Sequence, residues 1–295
     1  MSHWLDRTRH ALAGRIGAIR PKAGDPGPIL ESLRKQADQG RPVLCNLGCG
    51  SRLHPDWINI DVNGDGSSVH PWDLRCGLPF PDAVCDAIYS SHLIEHFDRP
   101  GAARFLDECR RCLRNGGVLR LVAPDLEDIA RNYLGCLEAA RRGEPEAAQR
   151  YDWMVIELLD QLVRHRSGGE MLSLWRREQV PAEEFVARRI GVEYRLTRRY
   201  SAGQPPDRFD TADPMAVGRF RLAGEVHQWM YDRYSLGRIL AQHGFVRIEA
   251  RGAAESSIEG FAAYGLDTES DGTVSKPDSF FIEGRAGPDL ASEKR

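Results

Sequence analysis

The sequence predicts an α/β fold built on a doubly wound, mostly parallel sheet. Between residues 29 and 125, short apolar runs that suit buried strands alternate with segments of helical periodicity. The first run ends at a glycine turn, Gly48-Cys49-Gly50, and the second ends at an acid, Asp61. A glycine turn after one strand and a carboxylate after the next are typical of α/β domains that bind nucleosides. The pattern therefore predicts a nucleoside site at the carboxyl edge of the sheet.

The same pattern predicts seven strands, five of them before residue 125. The gap between Gly50 and Asp61 is too short for a full helix, so only a turn or two is expected there. Helices are predicted before strands one, five and six, ended by Gly40, Asn115-Gly116-Gly117 and Gly244 respectively. The strands are placed at residues 43–47, 57–60, just before Asp73, 85–90, 118–122, 245–249 and 279–283, and the helices at 29–39, 100–114 and 234–243.

Residues 126 to about 222 interrupt this alternation. The segment is rich in Arg, Glu, Ala and Leu and has a helical character up to about residue 189. Because it follows strand five, it is expected at the carboxyl edge, where open α/β folds bind ligands, and is interpreted as a substrate lid. The predicted division is a helical arm and linker at 1–40, a core at 41–125 and 223–285, the insertion at 126–222, and a tail at 286–295.

Two basic segments each leave two interpretations open. Residues 1–22 place apolar side chains at helical spacing among arginines. This arm either packs on its own domain or on a second subunit of a homodimer, or it touches an anionic membrane surface. Residues 188–208 carry six arginines against two acids. They form either a solvated face or a grip for a phosphate or carboxylate of the substrate.

Composition narrows the class of protein. At 295 residues the chain suffices for one large domain or two small ones. The net charge of −3 supplies no field that would attract nucleic acid, so no nucleic-acid partner is expected. No apolar run is long enough to span a bilayer, and the basic N-terminus lacks the apolar core of a signal peptide. An odd number of scattered cysteines, seven, favours reduced thiols, and we expect a cytoplasmic protein.

Five motifs in order resemble those of one enzyme family. They are Asn46-Leu47-Gly48-Cys49-Gly50, Asn59-Ile60-Asp61, Pro71-Trp72-Asp73-Leu74, Ser91-His92-Leu93-Ile94-Glu95-His96 and Asn115-Gly116-Gly117-Val118-Leu119. The series resembles a class I S-adenosylmethionine-dependent methyltransferase, most closely the small bacterial type often found with polysaccharide biosynthesis enzymes. Two positions depart from the family pattern, because Asn46 stands where many relatives carry an acid and Arg52 where a third glycine is common.

The resemblance implies a Rossmann-like sheet whose last strand is antiparallel, and S-adenosylmethionine as cofactor. It places Gly48, Cys49 and Gly50 against the amino-acid part of the cofactor, with Asn46 in the same motif. It also implies that Asp61 holds the ribose, that Asp73 and Leu74 face the adenine, and that Ser91 and His92 line the floor of the pocket.

A dinucleotide such as NAD is the main competing ligand for the glycine turn. The dinucleotide pattern needs a third glycine at position 53 to pack a helix against its strand, and Leu53 stands there. S-adenosylmethionine lacks a pyrophosphate, so it does not need a helix N-terminus as an anion site. The sequence therefore favours S-adenosylmethionine over NAD.

The residues from His92 to His96 also match H-x-x-E-H, a zinc-protease pattern. That pattern requires a long helix with both histidines on one face, and Pro100 follows too soon for such a helix. No metal is therefore expected. Cys109-x-x-Cys112 has no second pair at metal-binding spacing and lies in a helical pattern, so core thiols are expected there.

His227 is the predicted general base, with Glu95 behind it and His92 as a further candidate. It lies in a polar and aromatic segment between the insertion and the last helix, and histidine titrates near neutrality. We expect methyl transfer to a hydroxyl, with a nucleotide-linked or lipid-linked sugar as acceptor by family association alone. The alternatives are a small-molecule or lipid O- or N-methyltransferase, and a non-catalytic module that binds the cofactor.

Overall fold

The computed structural model describes residues 23–204 and 212–288. Predictions for the arm at residues 1–22, for Arg208 in the basic segment and for the end of the tail lie outside these residues. The described chain forms a mixed, mostly parallel sheet of seven strands, flanked by helices and carrying a helical insertion after strand five. The predicted fold class is confirmed.

Strand order in the sheet is β3-β2-β1-β4-β5-β7-β6. The first five strands pair in parallel, and β7 runs antiparallel to both β5 and β6. The order reverses between β1 and β4, so a crevice for a ligand is expected outside their carboxyl ends. The strands are β1 Leu44–Leu47, β2 Ile58–Asp61, β3 His70–Pro71, β4 Cys85–Ser91, β5 Leu113–Pro124, β6 Phe245–Arg251 and β7 Ser279–Ala286.

The two faces of the sheet are covered by different parts of the chain. Cys45 of β1 belongs to a core that includes helix residues such as Leu106. Leu44 is one residue away and therefore faces the opposite side, where it shares a second core with Phe261. Phe261 belongs to the loop of residues 252–278 between β6 and β7, hereafter the covering loop. Because β1 and β2 are joined only by turns, this loop covers sheet area that a crossover helix would otherwise cover.

Nine α-helices occur in residues 23–204 and 212–288, and six of them form the insertion. The helices are α1 Gly27–Asp38, α2 Arg99–Cys112, α3 Leu126–Arg141, α4 Ala147–Val163, α5 Gly169–Trp175, α6 Glu183–Ile190, α7 Val192–Ser201, α8 Pro214–Arg221 and α9 Arg233–Gln242. Helix α9 begins at a capping box, in which Asp232 and Ser235 each bond the backbone N–H of the other. No described helix has the length and apolar character needed to cross a membrane.

The insertion, α3 to α8, has an apolar core of its own, which includes Trp153 and Trp175. It is fixed to the sheet at Asp125, directly after β5. The Asp125 carboxylate accepts the Asp128 N–H at 3.2 Å, which caps α3, and the Arg233 guanidinium at 2.6 Å. One arginine of the basic segment, Arg189, is nearly buried and ion-paired inside the insertion, so it is not a solvated residue.

The largest difference between a predicted and an observed boundary is at the start of β5. Helix α2 ends at Cys112 rather than residue 114, and β5 begins at Leu113 rather than residue 118. Strand β5 begins early because Leu113 already pairs with Cys85 of β4. After a register shift, the pairing of the two strands continues from Val118, beyond the two glycines. The tail was expected from residue 286, but Ala286 is the last residue of β7 and pairs with Phe245.

Candidate functional site

The glycine turn closes β1 against the end of β2. The N–H groups of Gly48 and Cys49 both donate to the Ile60 carbonyl, at 2.8 and 3.1 Å. Gly48 and Gly50 have φ of +67° and +50°, in the left-handed region that favours glycine. A Cβ at Gly48 would lie 3.0 Å from the Leu93 side chain, whereas one at Gly50 would meet nothing within 4 Å. The turn therefore packs tightly on one side and is open on the other, as close approach to a ligand requires.

Asp61 stands at the end of β2 beside this turn. Its Oδ2 accepts the Gly50 N–H at 3.0 Å, and its Oδ1 accepts the Asn63 N–H at 2.9 Å. These bonds fix the orientation of a carboxylate that is only partly buried. Each carboxylate oxygen has two lone pairs, so both oxygens keep a position for a further donor such as a ribose hydroxyl. The geometry suits the role that the resemblance implies for Asp61.

Asn46 and Cys49 lie beneath the turn rather than on its open side. Asn46 is 1% exposed, and its Nδ2 donates to the Arg52 carbonyl at 2.8 Å and to Asn59 Oδ1 at 3.0 Å. Cys49 is also buried. Arg52 occupies the position of the missing third glycine and extends to the covering loop, where it binds Ser275 and Glu269. Asn46 thus stabilises the turn by donating to the Arg52 carbonyl. An ionised carboxylate at this position could not form that bond, because it has no hydrogen to donate.

Asp73 and Leu74 start a single 3₁₀ turn next to Asp61. The Trp72 N–H donates to the Asp61 carbonyl at 3.0 Å, which places this segment beside Asp61. The Asp73 carboxylate accepts the backbone N–H of Arg75 and binds its guanidinium at 2.7 Å, while Leu74 is buried in the core. An adenine contact from these residues stays a prediction.

A second group of side chains, hereafter the Glu95 cluster, contains Glu95, His92, His96 and His227. Glu95 is 1% exposed, and neither of its carboxylate oxygens has a hydrogen-bond partner in the described chain. The His92 Nδ1 lies 3.5 Å from Glu95 Oε1, and the rings of His96 and His227 meet edge to face at 4.8 Å. Burial raises the pKa of Glu95 to about 8.

His92 follows β4 in a strained conformation. Its φ is +51°, which is uncommon for a residue other than glycine and often marks a functional position. Its Nε2 lies 2.7 Å from Ser279 Oγ, at the start of β7. The neighbouring Ser91 ends β4 and is partly buried. Leu93 packs against Gly48, so the Glu95 cluster adjoins the glycine turn.

His227 reaches this cluster from far along the chain. Its backbone N–H donates to the Gln161 carbonyl of α4 in the insertion at 3.0 Å. The next two residues, Gln228 and Trp229, both donate their N–H groups to the Glu95 carbonyl. These bonds hold a segment from the end of the insertion against the residues that follow β4. The three predicted catalytic residues are therefore brought together, although their roles stay predictions.

Burial makes all three histidines of the cluster weak bases. It lowers the pKa of His96 to about 4 and that of His92 and His227 well below the ordinary value, with smaller contributions from the charge of Lys276. The rings are therefore neutral at pH 7. A neutral imidazole has a free lone pair that accepts a proton or binds a cation.

The structure adds residues that the sequence analysis did not single out. Asp278, just before β7, is buried, and burial raises its pKa to about 7. Tyr231 is 1% exposed and its hydroxyl has no partner among the described residues. Because β7 is antiparallel, its first residues lie at the carboxyl edge of the parallel strands. That direction is the signal that would have pointed to Asp278.

Comparison with known proteins gives one informative match. The family model described as a methyltransferase domain matches residues 62–121. This match supports an S-adenosylmethionine-dependent methyltransferase. The matched segment includes Asp73, His92 and Glu95, and it begins one residue after Asp61. It supports the predicted enzyme class and cofactor and says nothing of the acceptor.

Solved structures resemble the chain only distantly, and no curated protein sequence matches it. One is an S-adenosylmethionine-dependent methyltransferase from Archaeoglobus fulgidus, with 13% identity, a TM-score of 0.37, and coverage of 97% of this chain and 100% of that one. Another is magnesium protoporphyrin IX methyltransferase from Synechocystis PCC 6803, with 11% identity, a TM-score of 0.34, and coverage of 96% and 94%.

Proposed function

We propose that the protein transfers the methyl group of S-adenosylmethionine to a hydroxyl oxygen of a sugar carried on a nucleotide or lipid. The observation that supports this most is the contact between Leu93 and Gly48, which joins two sites with complementary chemistry. The glycine turn with Asp61 suits the cofactor. The Glu95 cluster, whose members His92 and Glu95 lie on either side of Leu93 in the sequence, suits an acceptor that must lose a proton.

The residues at the strand ends fit the cofactor. Asp61 would accept hydrogen bonds from the two ribose hydroxyls, and the open side of Gly50 would receive the amino-acid part. When bound, the cofactor supplies an electrophilic methyl group on a sulfonium. The protein therefore has little to activate, and its task is to hold the acceptor oxygen in line with the carbon–sulfur bond at roughly 3 Å.

The Glu95 cluster would remove the proton of the acceptor hydroxyl. As the oxygen bonds to the methyl carbon and the carbon–sulfur bond breaks, the hydroxyl proton passes to a neutral imidazole. The sequence names His227 for this role, and His92 is the more accessible of the two rings, with 16% of its side chain exposed. The insertion holds His227 through Gln161, so movement of the insertion would open or close the cluster.

One exposed side chain supports a sugar as acceptor. Trp229 is 44% exposed although its backbone is bonded to Glu95, two residues after His227. Arg99 lies over its ring at 5.1 Å. An exposed indole offers a flat apolar face on which the C–H groups of a pyranose ring can pack. Its position beside the Glu95 cluster would leave the sugar hydroxyls directed toward the histidines.

Turnover with labelled cofactor tests the proposal. The protein is incubated with S-adenosylmethionine that carries a labelled methyl group and with a panel of nucleotide sugars, lipid-linked sugars and small phenols and amines. We expect label on an oxygen of a sugar, with S-adenosylhomocysteine as the second product. Label on an amine or phenol would contradict the acceptor class, and calorimetry that shows no binding of the cofactor would contradict the enzyme class.

A further inference from the structure

Three side chains of the Glu95 cluster lie close enough to bind one cation, in an arrangement different from the H-x-x-E-H pattern. Glu95, His96 and His227 each present a ligand atom, and these atoms lie within 4.8 Å of one another. The residues from Ile94 to His96 form a single 3₁₀ turn, so His92 and His96 do not share a helix face. We propose that Glu95, His96 and His227 bind a divalent transition-metal cation.

The polar atoms of this trio lack the partners that buried groups normally have. Both carboxylate oxygens of Glu95 and the Nδ1 of His96 are buried without a hydrogen bond in the described chain. A buried carboxyl group without a partner is costly, and such groups in native proteins are usually bonded to protein, water or an ion. A cation at the centre of the trio satisfies all three atoms at once.

The orientation of His96 supports this assignment. The backbone of Val226 raises the pKa of the His96 ring, and the Nδ1 of that ring has no hydrogen-bond partner in the described chain. An Nε2–H that donates to a carbonyl leaves a lone pair on Nδ1, which is the arrangement that metal-binding histidines commonly show. The tautomer with its proton on Nε2 would therefore leave the Nδ1 of His96 available to a cation.

Two imidazoles and one carboxylate select the class of cation. This ligand set is typical of Zn²⁺ in catalytic sites and of other first-row divalent metals, whereas Mg²⁺ and Ca²⁺ prefer oxygen ligands. Tetrahedral ligation at 2.0–2.1 Å places ligand atoms roughly 3.4 Å apart. The trio needs side-chain movement on the order of 1 Å to reach that spacing, which rotation about the side-chain bonds provides.

Nearby cations oppose binding only weakly because they face acids. The positive charge of Arg164 lowers the pKa of His96 and of His227. Its guanidinium forms ion pairs with Asp160 at 2.6 Å and with Glu225 at 3.2 Å. The positive charge of Lys276 favours the ionised forms of Glu95 and of Asp278. The local balance of charge therefore leaves room for one more positive ion next to Glu95.

Three protein ligands leave at least one coordination position for a further oxygen, as in catalytic zinc sites. On the proposed function, the acceptor hydroxyl would take that position, where the cation lowers its pKa. His227 would then be a ligand, and His92, which is outside the trio, would receive the proton as the oxygen–carbon bond forms and the carbon–sulfur bond breaks.

Metal titration of untagged, chelator-treated protein tests the site. We expect Zn²⁺ to bind one to one by calorimetry, and Co²⁺ to give visible absorption bands of a tetrahedral site. Glu95→Gln and His96→Ala should each weaken Zn²⁺ binding at least about tenfold. His243→Ala is the matched control, because His243 also contacts a carboxylate, Asp107, at 2.6 Å but lies outside the cluster. Circular dichroism of each variant checks that it is folded.

Three outcomes separate this proposal from the proposed function. Wild-type protein that binds neither Zn²⁺ nor Co²⁺, or a folded Glu95→Gln variant that binds them as the wild type does, would overturn the metal site. Methyl transfer that persists at full rate after complete metal removal would overturn the role of the cation and leave the methyltransferase proposal intact. Stoichiometric Zn²⁺ that depends on Glu95 would support the site even if no methyl transfer is found.

Discussion

At the scale of single residues, two members of the Glu95 cluster each have a feature that folded proteins usually avoid. His92 holds a positive φ, and Glu95 has no hydrogen-bond partner within the described ranges for either oxygen. Both features cost stability, so the fold must maintain them through surrounding contacts. Asp61 is a contrast, because two backbone N–H groups already orient its carboxylate.

Asp61→Ala is expected to weaken the binding of S-adenosylhomocysteine by roughly ten- to a hundredfold. A hydrogen bond to a charged group contributes about 1.5–3 kcal/mol, and the variant loses the bonds to the ribose. Isothermal calorimetry measures the change. Asp107→Ala, which removes an exposed acid of α2, should bind as the wild type does. Equal affinities of the two variants would count against the predicted ribose contact.

His227→Ala should leave cofactor affinity nearly unchanged and reduce turnover by roughly 10²–10⁴-fold. The side chain faces the Glu95 cluster and not the glycine turn, so only the acceptor side of the reaction is affected. Steady-state rates with saturating cofactor, together with calorimetry, separate the two effects. A variant with wild-type turnover would show that His227 has only a structural role.

At the scale of elements, the strands and the glycine turn could be predicted from local sequence, because apolar runs and Gly-x-Gly have local causes. The association of His227 with Glu95 could not, since it depends on backbone bonds to the Glu95 carbonyl from Gln228 and Trp229, which are 133 and 134 positions away. The packing of Phe261 on the sheet could not be predicted either. A polar loop with a few apolar residues has no sequence pattern that indicates which face of the sheet it covers. Sequence alone identified the four members of the Glu95 cluster but neither Asp278 nor Tyr231, which interact electrostatically with Glu95.

Helix α2 offers a test of stability against pH. The Arg111 guanidinium holds the pKa of Glu108 below its ordinary value, and the Leu78 N–H donates to the same carboxylate. A carboxylate with a lowered pKa stabilises the folded state above its unfolded pKa of about 4.3, and this contribution is lost as the pH falls through the folded pKa.

Glu108→Gln should therefore lower the free energy of unfolding by roughly 1 kcal/mol at pH 7 and by much less at pH 3. Urea denaturation at both pH values measures the difference. Glu184→Gln serves as the control, because Glu184 is fully solvated at 96% exposure and should change stability little at either pH. A deficit of Glu108→Gln that is as large at pH 3 as at pH 7 would disprove the assigned ion pair.

At the scale of the whole molecule, one buried arginine joins the sheet to the covering loop. Arg120 of β5 is fully buried and binds Asp267 and Glu283, each at 2.9 Å. Its guanidinium also donates to three backbone carbonyls of the loop. All of its donors are thus directed to acceptors, which is the condition for a buried ion network to be tolerated.

Arg120→Met should destabilise the protein by about 3–5 kcal/mol, because the buried carboxylates of Asp267 and Glu283 would lose the cation that they share. Arg114→Met on the same strand is the control. Arg114 is 63% exposed and paired with Asp86 at the surface, where such pairs contribute about 1 kcal/mol or less. Thermal or urea unfolding compares the two, and a similar small effect of both changes would refute the importance of the buried network.

The position of β7 has a consequence for how the chain is made. A ribosome completes β6 before β7, yet β7 is inserted between β5 and β6 in the finished sheet. Until Ser279–Ala286 has emerged, β5 therefore keeps an unpaired edge and β6 has no neighbour in the sheet. Such edges attract other strands, and a nascent chain halted before residue 279 is the form most exposed to misassociation.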